Sequence, residues 1–217
     1  MDDRIRAALF DLDGTLMNTL RDIAGAMNYA LREFGLREWD TEEYRYLVGN
    51  GAKVLAQRAV RDRLDLAEKV RTVYQRQYET HNRVYTRPYP GMPETLARLA
   101  ERGTAVCVFS NKPHRDTVNV LEYYLPGIPF SAILGQTDRF PVKPDPAGAL
   151  WITEKLDIAP SEFIYVGDSA VDMSCAVRAG MHPVGALWGF RDEKELTEGG
   201  AEKLVSRPEE LPELLLP

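Results

Sequence analysis

The chain has 217 residues, of which 44% are hydrophobic and 28% charged, and its formal net charge is -6. This composition excludes a fibrous or wholly disordered protein, and the acidic balance argues against a nucleic-acid partner, because proteins that bind polyanions usually carry a basic face. The length suits one large domain, or one domain that carries a smaller inserted one.

The first predicted strand, residues 5–10, leads directly into Asp11 and Asp13. Residues 16–85 then contain no good strand pattern, and their amphipathic periodicity predicts helices instead. These predicted helices cover residues 19–34, 41–46, 51–63 and 67–81. Because this segment starts directly after the paired aspartates, we expect a helical insert that lies over a site as a lid.

The prolines of TRPYPGMP mark the return to the main domain. Beyond them, apolar runs at 104–109, 132–134, 163–166 and 182–186 alternate with helical patterns at 93–102, 114–124, 146–156 and 170–179. This alternation predicts a doubly wound, Rossmann-like α/β fold with a parallel sheet. We assign residues 1–15 and 86–217 to this core and 16–85 to the insert. The tail, RPEELPELLLP, is predicted as a last short helix packed on the sheet.

Targeting and redox signals are weak. The charged start of the chain lacks the apolar segment of a signal peptide, and we predict no membrane span or membrane partner. The two cysteines, Cys107 and Cys175, look like small core residues rather than a disulfide framework. We therefore expect a cytoplasmic protein and leave open whether it is a monomer or a homodimer.

Polar side chains follow the predicted strands where a doubly wound sheet binds its ligands. Their positions are Asp11 and Asp13; Ser110, Asn111 and Lys112; Lys143; and Asp168 with Asp172. Clustered carboxylates need a cation, and an all-oxygen set favours Mg²⁺. Thr15, Ser110 and backbone amides could donate hydrogen bonds to phosphate oxygens, while the Lys143 ammonium adds a positive charge. The pattern predicts a phosphoryl-transfer site for a small phosphorylated metabolite.

Four motifs, DLDGTL, SNK, VKPDP and GDSAVD, resemble those of the haloacid dehalogenase-like phosphatases in order and in position. The resemblance covers nearly the whole chain, and the helical insert resembles that family's type 1 cap. Within the insert, LVGNGAKVLAQRA, together with SNKP, is similar to the phosphoglycolate phosphatase branch.

The resemblance implies a role for each motif residue. Asp11 would be the nucleophile that forms an aspartyl-phosphate, and Asp13 the general acid and base. Mg²⁺ would bind the carboxylates of Asp11 and Asp168 and the backbone carbonyl of Asp13, with Asp172 as a direct or water-mediated ligand. The transferring phosphate would be held by the remaining motif residues: Gly14, Thr15, Ser110, Asn111 and Lys143.

The insert offers a less specific signal. Asn50, Gly51 and Lys53 either shape the turn before a helix or contact the non-phosphate end of a substrate, where Lys53 would suit a carboxylate such as that of 2-phosphoglycolate. Trp188 and Phe190, just after the last predicted strand, are interpreted as packing residues.

Three functions remain open on the sequence. The favoured one is a Mg²⁺-dependent phosphatase for a small phosphate monoester, with 2-phosphoglycolate as the leading substrate. The second is a phosphomutase of the same family that acts on a sugar phosphate. The third is a non-hydrolytic phosphoacceptor signalling module, which has no use for a general acid two residues after its phosphoacceptor.

Overall fold

A computed structural model describes residues 5–214. Its main body is a six-stranded parallel sheet in the order β5-β4-β1-β6-β7-β8, and a short antiparallel ladder joins β2 to β3. The strands are β1 Ala7–Phe10, β2 Met17–Asn18, β3 Arg87–Pro88, β4 Ala105–Pro113, β5 Ala132–Gln136, β6 Phe163–Gly167, β7 His182–Ala186 and β8 Lys203–Val205. The predicted doubly wound α/β fold is confirmed.

The sheet is covered on both faces. Alternate residues of β1, such as Ala8 and Phe10 or Ala7 and Leu9, belong to two separate apolar clusters. All four are fully buried, because β1 lies inside the sheet and helical residues of each cluster pack on one of its faces. This double coverage explains why the central strands appear in the sequence as unbroken apolar runs.

Nine helices accompany the strands among residues 5–214: α1 Leu20–Glu33, α2 Tyr44–Leu47, α3 Gly51–Ala59, α4 Ala67–His81, α5 Met92–Glu101, α6 His114–Tyr124, α7 Ala147–Leu156, α8 Ala170–Ala179 and α9 Glu193–Glu198. Within this range, no helix is both long and apolar enough to cross a membrane. Helices α1 to α4, which we call the helical insert, enclose an apolar cluster of their own. The α1 residues Ile23, Met27 and Leu31 contribute to it, spaced as one face of a helix requires.

The connections to the insert are tied together. Met17 lies opposite Pro88, and Asn18 opposite Arg87. The buried carboxylate of Asp22 accepts hydrogen bonds from the backbone N–H groups of Tyr85 (3.0 and 3.1 Å) and Thr86 (2.9 Å) and from the Thr86 hydroxyl (2.8 Å). The start of α1 is therefore fixed to the segment that returns to the sheet.

Several predicted boundaries are corrected. The predicted 51–63 helix ends at Ala59, whose carbonyl accepts a hydrogen bond from Trp39 Nε1 (2.8 Å), and Arg61 takes a positive φ of 56°. The predicted 41–46 helix is a 3-10 turn, Thr41–Glu43, followed by α2. The first strand begins at Ala7 rather than at residue 5, and β4 continues past residue 109 to Pro113.

Some of the remaining elements have the predicted bounds, and others were not predicted. Helices α4, α6 and α8 and strand β7 have the predicted bounds. Strand β8 and helix α9 were not predicted, because β8 has only three residues and α9 is short and mostly charged. The predicted tail helix is a 3-10 segment, Pro208–Glu213, with Leu211 buried in the main core, and residues 215–217 lie outside the described residues.

Candidate active site

The site lies where β1, β4 and β6 end, at the centre of the sheet. Asp11 follows β1, and its N–H donates to the carbonyl of Val166 in β6 (3.0 Å). On either side of β1 the strand order runs in opposite directions, which opens a crevice at the carboxyl edge. The motif residues of three strands converge there.

Three buried carboxylates form the centre of this site. One carboxylate oxygen from each of Asp11, Asp168 and Asp172 lies within 4.8 Å of the other two. The ammonium of Lys143 lies 2.7 Å from Oδ1 of Asp11 and 2.7 Å from Oδ1 of Asp172. One buried lysine thus faces three buried carboxylates, which leaves an uncompensated negative charge among these four groups.

Burial and the excess of negative charge shift the pKa values of these groups. Burial raises the pKa of Asp11 to about 7, although the adjacent Lys143 opposes the rise. Burial, together with the charges of Asp172 and Asp11, raises the pKa of Asp168 to about 8. The pKa of Lys143 is raised, because its two carboxylate partners outweigh its burial. The cluster thus needs protons or a cation, and an all-oxygen set of this kind fits Mg²⁺.

Asp168 is held by a tightly packed cradle. Its carboxylate accepts hydrogen bonds from the Thr15 hydroxyl (3.1 Å) and from the N–H of Phe190 (2.7 Å). A Cβ on Gly14, whose φ is +92°, would lie 2.2 Å from Asp168 Oδ2, and one on Gly189 would lie 2.2 Å from Asp168 Cβ. Only glycine fits at either position while this carboxylate stays in place.

Asp172 and Lys143 are supported by their own neighbours. Asp172 Oδ2 accepts hydrogen bonds from the N–H (3.2 Å) and hydroxyl (2.6 Å) of Ser169, which caps α8. Asn111 Oδ1 accepts from the backbone N–H of Lys143 (2.8 Å), and Asn111 Nδ2 donates to the carbonyls of Lys143 (3.2 Å) and Gly49 (3.0 Å). Asn111 thereby links the lysine loop to the loop before α3.

The carboxylate of Asp13 is paired with Lys112, which the sequence places at this strand end but to which the motif resemblance gave no role. The Lys112 ammonium lies 3.1 Å from each carboxylate oxygen of Asp13 and donates to the Tyr78 hydroxyl of α4 (2.8 Å). Burial opposes the charge of Lys112, but Asp13 raises its pKa overall. Its place after the apolar strand was readable in the sequence, whereas its contacts with Asp13 and Tyr78 are seen only in the structure.

A cleft that opens to solvent lies between this edge of the sheet and the helical insert. Its floor includes Asp11, Asp13 and Ser110, and its apolar wall includes Leu55 and Tyr74 of the insert. The complete lining is Asp11, Asp13, Ile23, Val48, Gly49, Gly51, Ala52, Leu55, Tyr74, Gln75, Tyr78, Ser110, Asn111, Lys112, Pro113 and Asp116.

The remaining predicted substrate contacts lie in different surroundings. Gly51 lines the cleft, whereas Lys53 is exposed and outside its lining. Asn50 accepts a hydrogen bond from Arg58 (2.9 Å), and Thr15 is buried against Asp168. Phe190 is buried in the apolar cluster of the insert, as expected of a packing residue.

Comparison with known proteins agrees with this geometry. The family model "Haloacid dehalogenase-like hydrolase" matches residues 8–186. A phosphoglycolate phosphatase of Aquifex aeolicus is 32% identical over 211 residues, covering 97% of each chain. One of Haemophilus influenzae is 35% identical, covering 91% of this chain and 92% of its own. The solved structure of a candidate phosphoglycolate phosphatase from Lactobacillus delbrueckii subsp. bulgaricus superposes with a TM-score of 0.90 at 28% identity, covering 98% and 99% of the two chains.

The chain belongs to the haloacid dehalogenase-like hydrolase family, as the four motifs predict. It is an enzyme of the phosphatase class, and within the family it resembles the phosphoglycolate phosphatase branch.

Proposed function

We propose that this enzyme uses Mg²⁺ to hydrolyse a small phosphate monoester, 2-phosphoglycolate in the first place, through an aspartyl-phosphate on Asp11. One observation carries the proposal: Asp11 lies at the floor of the cleft, with the Lys143 ammonium 2.7 Å from its carboxylate and two further carboxylates beside it. The substrate is proposed from the names of the relatives.

The carboxylates of Asp11, Asp168 and Asp172 fit a divalent cation, because they are buried, mutually close and short of positive charge. We propose that they hold Mg²⁺, together with the backbone carbonyl of Asp13. Bound there, the ion would offset the charge of the carboxylates and of the phosphate oxygens.

In the proposed reaction, a carboxylate oxygen of Asp11 forms a bond to phosphorus while the bond to the leaving oxygen breaks. Asp13 gives that oxygen its proton. Asp13 then takes a proton from water, whose oxygen attacks the aspartyl-phosphate and releases phosphate and free Asp11. Two such steps replace one direct attack by water. Lys143 would reduce the repulsion between Asp11 and the anionic phosphate, and Ser110 would donate to a phosphate oxygen.

The experiment is phosphate release from a panel of phosphorylated metabolites, compared by kcat/KM. We expect Asp11→Asn to lower kcat at least about 10⁴-fold, since the nucleophile is lost, and chelation to stop turnover until Mg²⁺ is returned. Asp62→Asn, a change at an exposed aspartate, is the matched control. Substantial turnover in Asp11→Asn, or a full rate after chelation, would refute the mechanism or the metal. Transfer of phosphate to a sugar instead of water would favour the phosphomutase.

The domain assignment and the setting of the enzyme are also proposals. We propose a core of residues 1–15 and 86–217 and a cap of residues 16–85 that closes over the substrate. Burial of residues from both units around one cleft supports a cap in this position. We further propose a cytoplasmic enzyme that works as a monomer or homodimer, which light scattering on the purified protein would decide.

A further inference from the structure

Lys112 is a cationic side chain that pairs with Asp13 and not with the carboxylate cluster of Asp11, Asp168 and Asp172. Its side chain is only 5% exposed, yet it lines the cleft. Among the residues that the structure describes, it is the one cationic side chain in that lining. Lys143, which pairs with Asp11 and Asp172, and the exposed Lys53 are both outside it.

The surroundings of Lys112 already form a carboxylate-binding arrangement. Its ammonium is equidistant, at 3.1 Å, from the two oxygens of the Asp13 carboxylate, and the Tyr78 hydroxyl lies 2.8 Å away. The Tyr78 oxygen accepts from Lys112, so its own O–H can donate to an anion bound there. The carboxylate of Asp13 thus shows how a ligand carboxylate would be held.

We propose that Lys112 and Tyr78 form the subsite for a carboxylate on the substrate, which replaces Asp13 on the lysine, and that Lys112 thereby makes the enzyme prefer phosphate esters that carry a carboxylate over esters of neutral alcohols. This inference rests on the proposed phosphatase function. It moves the recognition of the non-phosphate end from Lys53, where the sequence suggested it, to the end of β4.

Asp116 provides a control whose removal should have the opposite effect to the removal of Lys112. This half-buried carboxylate of α6 lines the same cleft and acts electrostatically on Lys112. Its negative charge repels a second anion in the cleft. Removal of Lys112 and removal of Asp116 therefore have opposite effects on a carboxylate ligand, which a general disturbance of the fold would not produce.

The test uses two non-hydrolysable ligands of similar size, 3-phosphonopropionate and propylphosphonate, which differ in the carboxylate. Their dissociation constants are measured by calorimetry with Mg²⁺ present. We expect the wild type to bind 3-phosphonopropionate about 10- to 100-fold more tightly, the range of a charge-assisted contact. Lys112→Met should bring the two ligands to within about 3-fold, Tyr78→Phe should reduce the preference partly, and Asp116→Asn should increase it.

Lys69→Met, a change at an exposed lysine of α4, should leave the preference unchanged. Equal affinities in the wild type, or an unchanged ratio in Lys112→Met, would overturn the proposal. If Lys112→Met does not fold, the affinity ratios of the other two variants test the proposal: a smaller preference for 3-phosphonopropionate in Tyr78→Phe and a larger one in Asp116→Asn support it. Changes of the preference in the same direction in both variants overturn the proposal. Phosphate release from 2-phosphoglycolate and ethyl phosphate is measured in parallel. Its absence in the wild type refutes the proposed function, while the ligand ratios test the subsite separately.

Discussion

Replacing Lys143 with methionine would remove the cation that joins Asp11 to Asp172. The lysine side chain is 2% exposed, and those of its two partners are 10% and 1% exposed, so water cannot take its place freely. Methionine keeps much of the length and apolar stem of lysine, so the change acts mainly on charge. We expect a folded but much less stable protein in the absence of metal.

The magnitude follows from the two contacts. At 2.7 Å and an effective dielectric constant of about 20, each ion pair contributes about 6 kcal/mol of Coulomb attraction. The cost of burying the charges offsets much of this, and removing one partner of a buried pair usually destabilises a protein by about 3–5 kcal/mol. For a chain of this length, the melting temperature should fall by roughly 6–20 °C.

The assay is denaturant unfolding of the metal-free protein, with Lys194→Met as an exposed control. The double variant Lys143→Met/Asp172→Asn should recover at least about half of the lost free energy of unfolding, because it also removes one of the stranded charges. It should remain inactive, which separates stability from catalysis. Strictly additive losses, or a loss in Lys143→Met of less than about 1 kcal/mol, would refute the reasoning.

Two further predictions concern protons and the connection to the insert. Because the pKa of Asp11 is raised to about 7 and that of Asp168 to about 8, protons compete with a cation below these values. The affinity for Mg²⁺, and the rise in melting temperature that Mg²⁺ causes, should therefore be greater at about pH 8.5 than at about pH 6. Near pH 7, binding of Mg²⁺ should release protons, which calorimetry in two buffers of different ionisation enthalpy measures. Binding that does not depend on pH would contradict this prediction. The same two groups favour the metal-free fold most at low pH, below their unfolded pKa, and this contribution is lost as the pH rises through 7 and 8. Asp22→Ala should lower the free energy of unfolding by about 2–4 kcal/mol, because the N–H groups of Tyr85 and Thr86 lose their acceptor. Asp22→Asn should lower it less. Equal urea midpoints for the wild type and both variants would show that this contact contributes nothing to stability.

Strand ends could be predicted because their physical cause is local. A strand that is buried on both faces has a continuous apolar run in the sequence, and the polar residue after this run marks the edge of the sheet. Asp11 and Asp168 were found in this way, and the structure brings them together with Asp172 in one cluster. The edge strand β8 has only three residues and no such run, so nothing in the sequence marked it.

The sequence by itself determined which elements alternate, which strand ends carry acids and lysines, and the family to which the chain belongs. Only the tertiary structure decided which charge meets which. Lys112 contacts Asp13, 99 positions away, because β4 pairs with β1. It contacts Tyr78, 34 positions away, because the helical insert packs against the carboxyl edge of the sheet. Lys53 and Lys112 both follow turn or strand signals, yet one is exposed and the other lines the cleft. Local patterns fix the secondary structure of a segment, but charge pairing depends on distances that only the packed chain defines.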